Sequence, residues 1–130
     1  MHSYRDIDVA LDTFPYGGGV TTCDALAAGV PVVTLAGDAM VARQGAALLR
    51  AAGQPQWIAQ TPADYVQLAV TIADNARRAG VRRDLALGLP ASPLGGVAAF
   101  AAALERALRA MVEAGPRDGD KNRTPLVIEA

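Results

Sequence analysis

The sequence predicts an α/β protein in which a parallel sheet carries flanking helices, and three observations predict it. Short β-branched runs alternate with Ala/Leu-rich segments in the order strand, helix, strand, helix, strand. The first two helical segments each end at a glycine, Gly29 and Gly53, the usual residue just past a helix end. A glycine-rich turn, Gly17-Gly18-Gly19, joins the first strand to the first helix. Alternation of this kind needs crossover connections, which are right-handed and lay helices over a parallel sheet.

Each element has its own local cause. "IDVAL" (Ile7–Leu11) reads as a buried strand because its apolar run is short and β-branched. A helix is expected over about Val20–Ala28, then a second buried strand at "PVVTL" (Pro31–Leu35). The next helix runs over about Val41–Ala52, and "WIA" (Trp57–Ala59) makes a very short third strand. Thr61-Pro62-Ala63-Asp64 marks a helix start: a hydroxyl caps free N–H groups, proline suits the first helical position, and a carboxylate suits the positive end. Tyr65, Leu68, Ala69, Ile72 and Ala73 then form one apolar stripe. A shorter helix is expected over Val81–Gly88, a turn at "LPASPLGG", and a last helix over about Val97–Val112. That helix aligns Phe100, Leu104, Leu108 and Met111 and sets Glu105 four residues before Arg109. From Gly115 the chain reads as a flexible tail, too polar to repay the entropy of ordering. Two or three strands are few for a doubly wound sheet, so the chain is expected to be the second half of a larger Rossmann-like domain.

Composition excludes several functions. The 130 residues carry a net charge of −1 and few aromatics, which leaves no footprint for nucleic acid. One cysteine, Cys23, and one histidine, His2, are too few for a multi-cysteine or histidine-rich metal site or a serine triad with a spare base. No stretch reaches the length of a membrane span, and the N-terminus lacks the form of a signal peptide. A cytoplasmic, metal-independent protein is the expectation, with no membrane partner. Asn122-Arg123-Thr124 matches a glycosylation sequon, but no secretory signal accompanies it.

Chemistry concentrates in "DTFPYGGGVTTCD", Asp12–Asp24. In open α/β sheets ligands bind beyond the carboxyl ends of the strands, where this loop sits. Its glycines are expected to let the backbone turn sharply and a ligand come close. The helix start near Val20 offers unpaired N–H groups to an anion. Thr21 and Thr22 add hydroxyls, and Asp24 can accept hydrogen bonds from a ribose. A phosphate or diphosphate suits such a loop, though glycine followed by threonine is also an ordinary helix start, and both readings stay open on the pattern. The spacing matches neither G-x-x-x-x-G-K-[ST] nor G-x-G-x-x-G.

The segment "DIDVALDTFPYGGGVTTCDALAAGVPVVTLAGD" resembles bacterial members of the O-linked N-acetylglucosamine transferase family, glycosyltransferases of GT-B fold that include the plant SPINDLY proteins. The likeness continues through "VARQGAALL", "GQPQWIA", "DYVQLAVTIADN", "ASPLGG" and "FAAALERALRAM", covering about Tyr4 to Met111. It implies that residues 1–114 are the C-terminal portion of the UDP-binding half, a partial Rossmann-like sheet, with 115–130 as the tail. It further implies that Gly19, Val20, Thr21, Thr22 and Asp24 lie around UDP, with the helix start facing the diphosphate and Asp24 the ribose.

The implied reaction moves N-acetylglucosamine from a UDP-sugar to serine or threonine of a protein acceptor, without a metal. No catalytic residue is assigned, since Asp12, Asp24 and Asp38 have capping or binding roles. Arg43 and Ser92-Pro93-Leu94 match family positions where structural roles are expected, an ion pair or carbonyl contact for Arg43 and a helix-orienting turn for the other three.

The chain departs from the family at two points. Bacterial members commonly carry Thr-Thr-Thr where this sequence has Val20-Thr21-Thr22, and Trp where it has Ala27. A tryptophan lost from a packed site leaves a void worth about 3–5 kcal/mol. The family's helical repeats, its first Rossmann half and the upstream basic residues are absent from the 130 residues, so this stretch alone is expected to be an inactive fragment. The alternative reading is a non-catalytic α/β remnant or interaction module that binds little nucleotide. A more distant one is another sugar-nucleotide enzyme, such as an epimerase, of the same architecture.

Overall fold

The β-branched residues Val32, Val33 and Thr34 occupy a strand covered on both faces. In the computed structural model, which describes residues 2–76 and 80–114, this strand is β2 (Val32–Leu35), and those three residues are at most 2% exposed. It pairs in parallel with β1 (Ala10–Leu11) on one side, Ala10 opposite Val32 and Leu11 opposite Val33. On the other side lies β3 (Ile58–Ala59), with Thr34 opposite Ile58 and Leu35 opposite Ala59. The sheet order is β1-β2-β3. The crossovers are α1 (Val20–Ala27) and α2 (Gln44–Ala51), followed by α3 (Pro62–Ala76) and α4 (Gly80–Gly88). This is the parallel α/β arrangement expected from the alternation.

The core gathers Leu26 of α1, Val30, Val33, Leu49 of α2, Trp57, Ile72 of α3 and Leu85 of α4. Burying each such large apolar side chain contributes about 1.5–3 kcal/mol. Gly29 and Gly53, at φ of 75° and 73°, end α1 and α2 in the left-handed conformation that a side chain disfavours. Thr61 caps α3 as expected, its Oγ1 accepting from the Asp64 N–H at 3.1 Å.

Three element boundaries differ from the sequence expectation. The first strand keeps only Ala10 and Leu11 of Ile7–Leu11, because His2–Asp6 coils into a 3-10 turn. The Arg82 guanidinium, from α4, donates to the carbonyls of Tyr4, Arg5 and Ile7 and holds that approach out of the sheet. The second crossover helix begins at Gln44, after a separate 3-10 turn at Met40–Ala42. Trp57 belongs to another 3-10 turn, Pro55–Trp57, which leaves two residues for β3. At the family's tryptophan position Ala27 is exposed, so the packed void expected there does not arise.

The chain divides into two compact units, Met1–Gly95 and Gly96–Ala130. The break falls inside the expected 1–114 portion, and the expected tail from Gly115 lies outside the described residues. In the second unit α5 (Val97–Glu113) carries Phe100, Leu104, Leu108 and Met111 along one stripe, all exposed. Glu105 and Arg109 pair at 2.6 Å on its surface, where such pairs contribute about 0.3–0.5 kcal/mol. Among the described residues no helix is long and apolar enough to cross a membrane.

Candidate functional site

The site begins where β1 ends. Asp12 follows Leu11 and is 7% exposed, so its carboxylate must find partners inside the protein. Gly18 N–H donates to Oδ1 at 2.6 Å, and the Thr34 hydroxyl donates to Oδ2 at 2.7 Å. The backbone of the same residue is held as firmly. Asp12 N–H donates to the Val33 carbonyl at 2.9 Å, and its own carbonyl accepts from the Tyr65 hydroxyl at 2.8 Å. One residue thus ties together β1, the glycine loop, β2 and α3.

The Tyr65 ring meets Phe14 edge to face at 5.5 Å, which fixes the α3 side of the loop. Burial, and then the negative charge of Asp12, raise the Tyr65 hydroxyl above its ordinary pKa. It therefore remains a donor to the Asp12 carbonyl up to alkaline pH.

The three loop glycines sit in crowded surroundings. Among the described residues the positive-φ glycines are Gly29 and Gly53, so Gly17–Gly19 do not use the left-handed region. The loop is crowded at all three, most tightly at Gly18. A Cβ at Gly17 would lie 3.3 Å from both Asp12 Oδ2 and the Val41 carbonyl; at Gly18, 2.8 Å from the Thr21 and Thr22 hydroxyls; at Gly19, 3.0 Å from Gln44 Nε2. Gly17 N–H also donates to the Val41 carbonyl at 3.0 Å, which closes the loop against the second crossover.

At the start of α1, Gly19 is the N-cap and supplies no side-chain cap. The helical ladder opens with Cys23 N–H donating to the Gly19 carbonyl at 3.1 Å. The N–H groups of Val20, Thr21 and Thr22 therefore precede it, as at any helix start. The five residues expected around a nucleotide are brought to this one end, with different exposures. Val20 is 76% exposed and Thr21 is exposed, while Gly19 and Asp24 are half-buried. Thr22 is 3% exposed, and its hydroxyl donates to the Gly18 carbonyl at 3.2 Å, so its hydrogen is committed to the loop. Asp24 stands one turn into the helix. A pocket of about 140 Å³ opens beside the end of β1, lined among others by Leu11, Asp12, Thr13, Gly18, Thr21 and Thr22. Gln44 lies on the far side of Gly19, in a broader depression of about 480 Å³ that includes Tyr16, Met40, Val41 and Arg43.

Arg43, expected in an ion pair or carbonyl contact, is instead the exposed residue preceding α2; among the described residues the ion pair is Arg109 with Glu105. A turn forms at Ser92, its hydroxyl donating to the Leu89 carbonyl at 2.7 Å. Leu94 N–H then reaches the Ala51 carbonyl at 3.1 Å and anchors the turn to α2.

Sequence reasoning missed Thr34, Gly45 and Tyr65 as parts of this site. Only Gly45 left a local signal. A glycine one residue into a helix costs about 1 kcal/mol relative to alanine, so it usually marks a close approach. Here a Cβ would fall on Asp12 Oδ2 and lie 2.8 Å from Thr34 Oγ1.

Comparison with known proteins places this geometry in a family. The model of glycosyl transferase family 41 matches residues 3–104. The probable UDP-N-acetylglucosamine–peptide N-acetylglucosaminyltransferase SPINDLY of Arabidopsis thaliana is 39% identical over 112 residues, covering 85% of this chain and 12% of the relative. The corresponding protein of Petunia hybrida is 38% identical over the same shares. A UDP-N-acetylglucosamine–peptide N-acetylglucosaminyltransferase of Caenorhabditis elegans is 36% identical over 69 residues, 53% of this chain and 6% of its own length. Among solved structures, a mutant O-GlcNAc transferase of Thermobaculum terrenum matches with a TM-score of 0.74 and 39% identity, covering 85% of this chain and 21% of that one. The chain thus spans about an eighth of the length of the SPINDLY relatives it matches.

Proposed function

Since the chain belongs to glycosyl transferase family 41, we propose that it forms the donor-binding portion of a UDP-sugar-dependent protein glycosyltransferase. The reaction is transfer of N-acetylglucosamine from UDP-N-acetylglucosamine to serine or threonine of a protein acceptor. The observation that carries this reading is the open start of α1 beyond the end of β1. Thr21 and Thr22 of the first turn line the pocket there, and Gly19 at the N-cap puts no side-chain cap on the helix start. Such a helix start stabilises negative charge, and charge builds on the UDP leaving group as the glycosidic bond breaks.

In this reading Gly19 and Val20 present backbone to the diphosphate, Thr21 adds an exposed hydroxyl, and Asp24 accepts from the ribose. Thr22 acts from behind, through Gly18. No metal takes part. The pocket of about 140 Å³ is smaller than the roughly 300–1,000 Å³ of a typical small-molecule site. It suits one phosphate-sized group, so the uridine, the sugar and the acceptor need walls beyond those lining it. The 130 residues alone are therefore expected to bind UDP weakly and to transfer no sugar.

The test is calorimetric titration of UDP into the 130-residue chain, paired with a transfer assay using UDP-N-acetylglucosamine and a peptide acceptor pool. Saturable UDP binding lost in Asp24→Ala supports the donor-site reading. A folded chain that shows no UDP binding overturns it in favour of an interaction module. UDP-inhibitable transfer by the chain alone would overturn the expected inactivity.

A further inference from the structure

Asp12 is a buried carboxylate to which the donor-site reading gives no task. We propose that it is a positioning residue: its carboxylate holds the Gly17–Gly19 loop in the single shape that leaves the α1 start open to a phosphate-bearing ligand. The assignment rests on the donor-site reading for the ligand, but on geometry alone for the loop.

Four observations carry it. First, every polar group of residue 12 has a partner. Its Oδ1 takes Gly18 N–H at 2.6 Å, Oδ2 takes the Thr34 hydroxyl at 2.7 Å, the backbone N–H reaches Val33 and the carbonyl receives Tyr65. The Gly18 contact is short for N–H···O. Second, Gly18 is held at both ends of its backbone. Its N–H goes to Asp12 and its carbonyl receives the Thr22 hydroxyl, so the carboxylate is coupled directly to the first turn of α1. Third, the loop and α2 close on the carboxylate without room to spare. A Cβ at Gly17 or Gly18 would come within 3.3 Å and 3.0 Å of its oxygens, and one at Gly45 would fall on Oδ2. Fourth, at 7% exposure with both oxygens engaged, Asp12 is unsuited to proton transfer with a substrate, and its charge serves the loop.

Loss of the acceptor would free the Gly18 peptide, and the loop would divide among several shapes. A ligand that binds one shape then loses affinity in proportion to the fraction remaining in it. A residue that served only the core would lower the melting temperature without that signature.

The experiment uses the 130-residue chain, with Gly18 amide exchange read by NMR and UDP as the titrant. In the wild type the Gly18 amide should resonate downfield and exchange slowly. Thr34→Val keeps the side-chain shape but removes the donor to Oδ2. It should speed Gly18 exchange and weaken UDP binding about tenfold, the order expected for a lost hydrogen bond to a charged group. Thr34→Ser should restore both, and Asp12→Asn should speed Gly18 exchange at least as much as Thr34→Val. If Asp12→Asn does not fold, the two Thr34 variants decide. A wild-type Gly18 amide that exchanges like an open loop overturns the proposal. So does a Thr34→Val chain that melts lower while Gly18 exchange stays at the wild-type rate. If the wild-type chain binds no UDP, the donor-site reading fails, and Gly18 exchange still decides the role of Asp12.

Discussion

The inner face of the glycine loop packs on the Asp12 carboxylate, which also takes the Thr34 hydroxyl and leaves no space for a side chain at Gly45. Its outer face leads into Val20, 76% exposed, and Thr21, also exposed. The same few residues are therefore built in two ways, with one face closed by charged and neutral hydrogen bonds and the other left open. The difference teaches how to separate support from recognition. A substitution on the inner face should change the fold before it changes a ligand, and one on the outer face should do the reverse.

Gly45→Ala attacks the inner face most directly, because the new methyl has nowhere to go but into Asp12 Oδ2. Overpacking of this kind costs about 1–3 kcal/mol, and the improved helix propensity of alanine offsets only part of it. Urea unfolding should show the loss as a lower midpoint. A midpoint at or above the wild-type value would mean that α2 can move away from Asp12, and the inner face would no longer be a fixed support.

Asp24→Ala makes the opposite prediction. Half-buried and one turn into α1, Asp24 should leave stability within about 0.5 kcal/mol when truncated, as at most surface sites. UDP binding should weaken by about 1.5–3 kcal/mol if a charged hydrogen bond to ribose is lost. Unchanged UDP affinity in a folded variant would remove Asp24 from the outer face's recognition set.

How much of this was legible in the sequence follows from how far apart the partners lie. The extents of α1 and β2, the stops at Gly29 and Gly53 and the cap at Thr61 were readable because each depends on neighbours within a few residues. The carboxylate centre was not. Asp12 draws its side-chain and carbonyl partners from positions 6, 22 and 53 residues away, and no local pattern encodes such a meeting. The truncation of the first strand was hidden in the same way, since Arg82 reaches back 75 to 78 residues to hold the turn before it. The loop glycines were noticed at the right location, but their crowding against Asp12, the two threonines and Gln44 depends on the fold and was not readable.

Alkaline titration sharpens the inner face further. The Tyr65 pKa is raised, by burial first and by Asp12 second, so folding favours its protonated form. That contribution is complete below the ordinary tyrosine value near 10 and fades as pH rises through the higher folded value. Phenolate absorbance should include a step above the ordinary tyrosine value, and Tyr65→Phe should abolish that step. A Tyr65→Phe chain that keeps the late step would mean that the Tyr65 hydroxyl is not enclosed.

The smallest effect belongs to Thr21, and set beside Thr22 it cuts the comparison most finely because the two differ by one position. Thr22 is 3% exposed and donates to Gly18, so Thr22→Ala removes a buried methyl and a hydrogen bond, a stability loss of about 1–2 kcal/mol. Thr21 is exposed and faces the pocket. Thr21→Ala should change stability by less than about 0.5 kcal/mol. Its effect on UDP should also be small, below that of Asp24→Ala, because the backbone N–H at position 21 stays in place when the hydroxyl goes. Paired urea midpoints and UDP titrations for the two variants decide the matter. If Thr21→Ala destabilises as much as Thr22→Ala, the loop has no open face, and the separation of support from recognition fails at the first turn of α1.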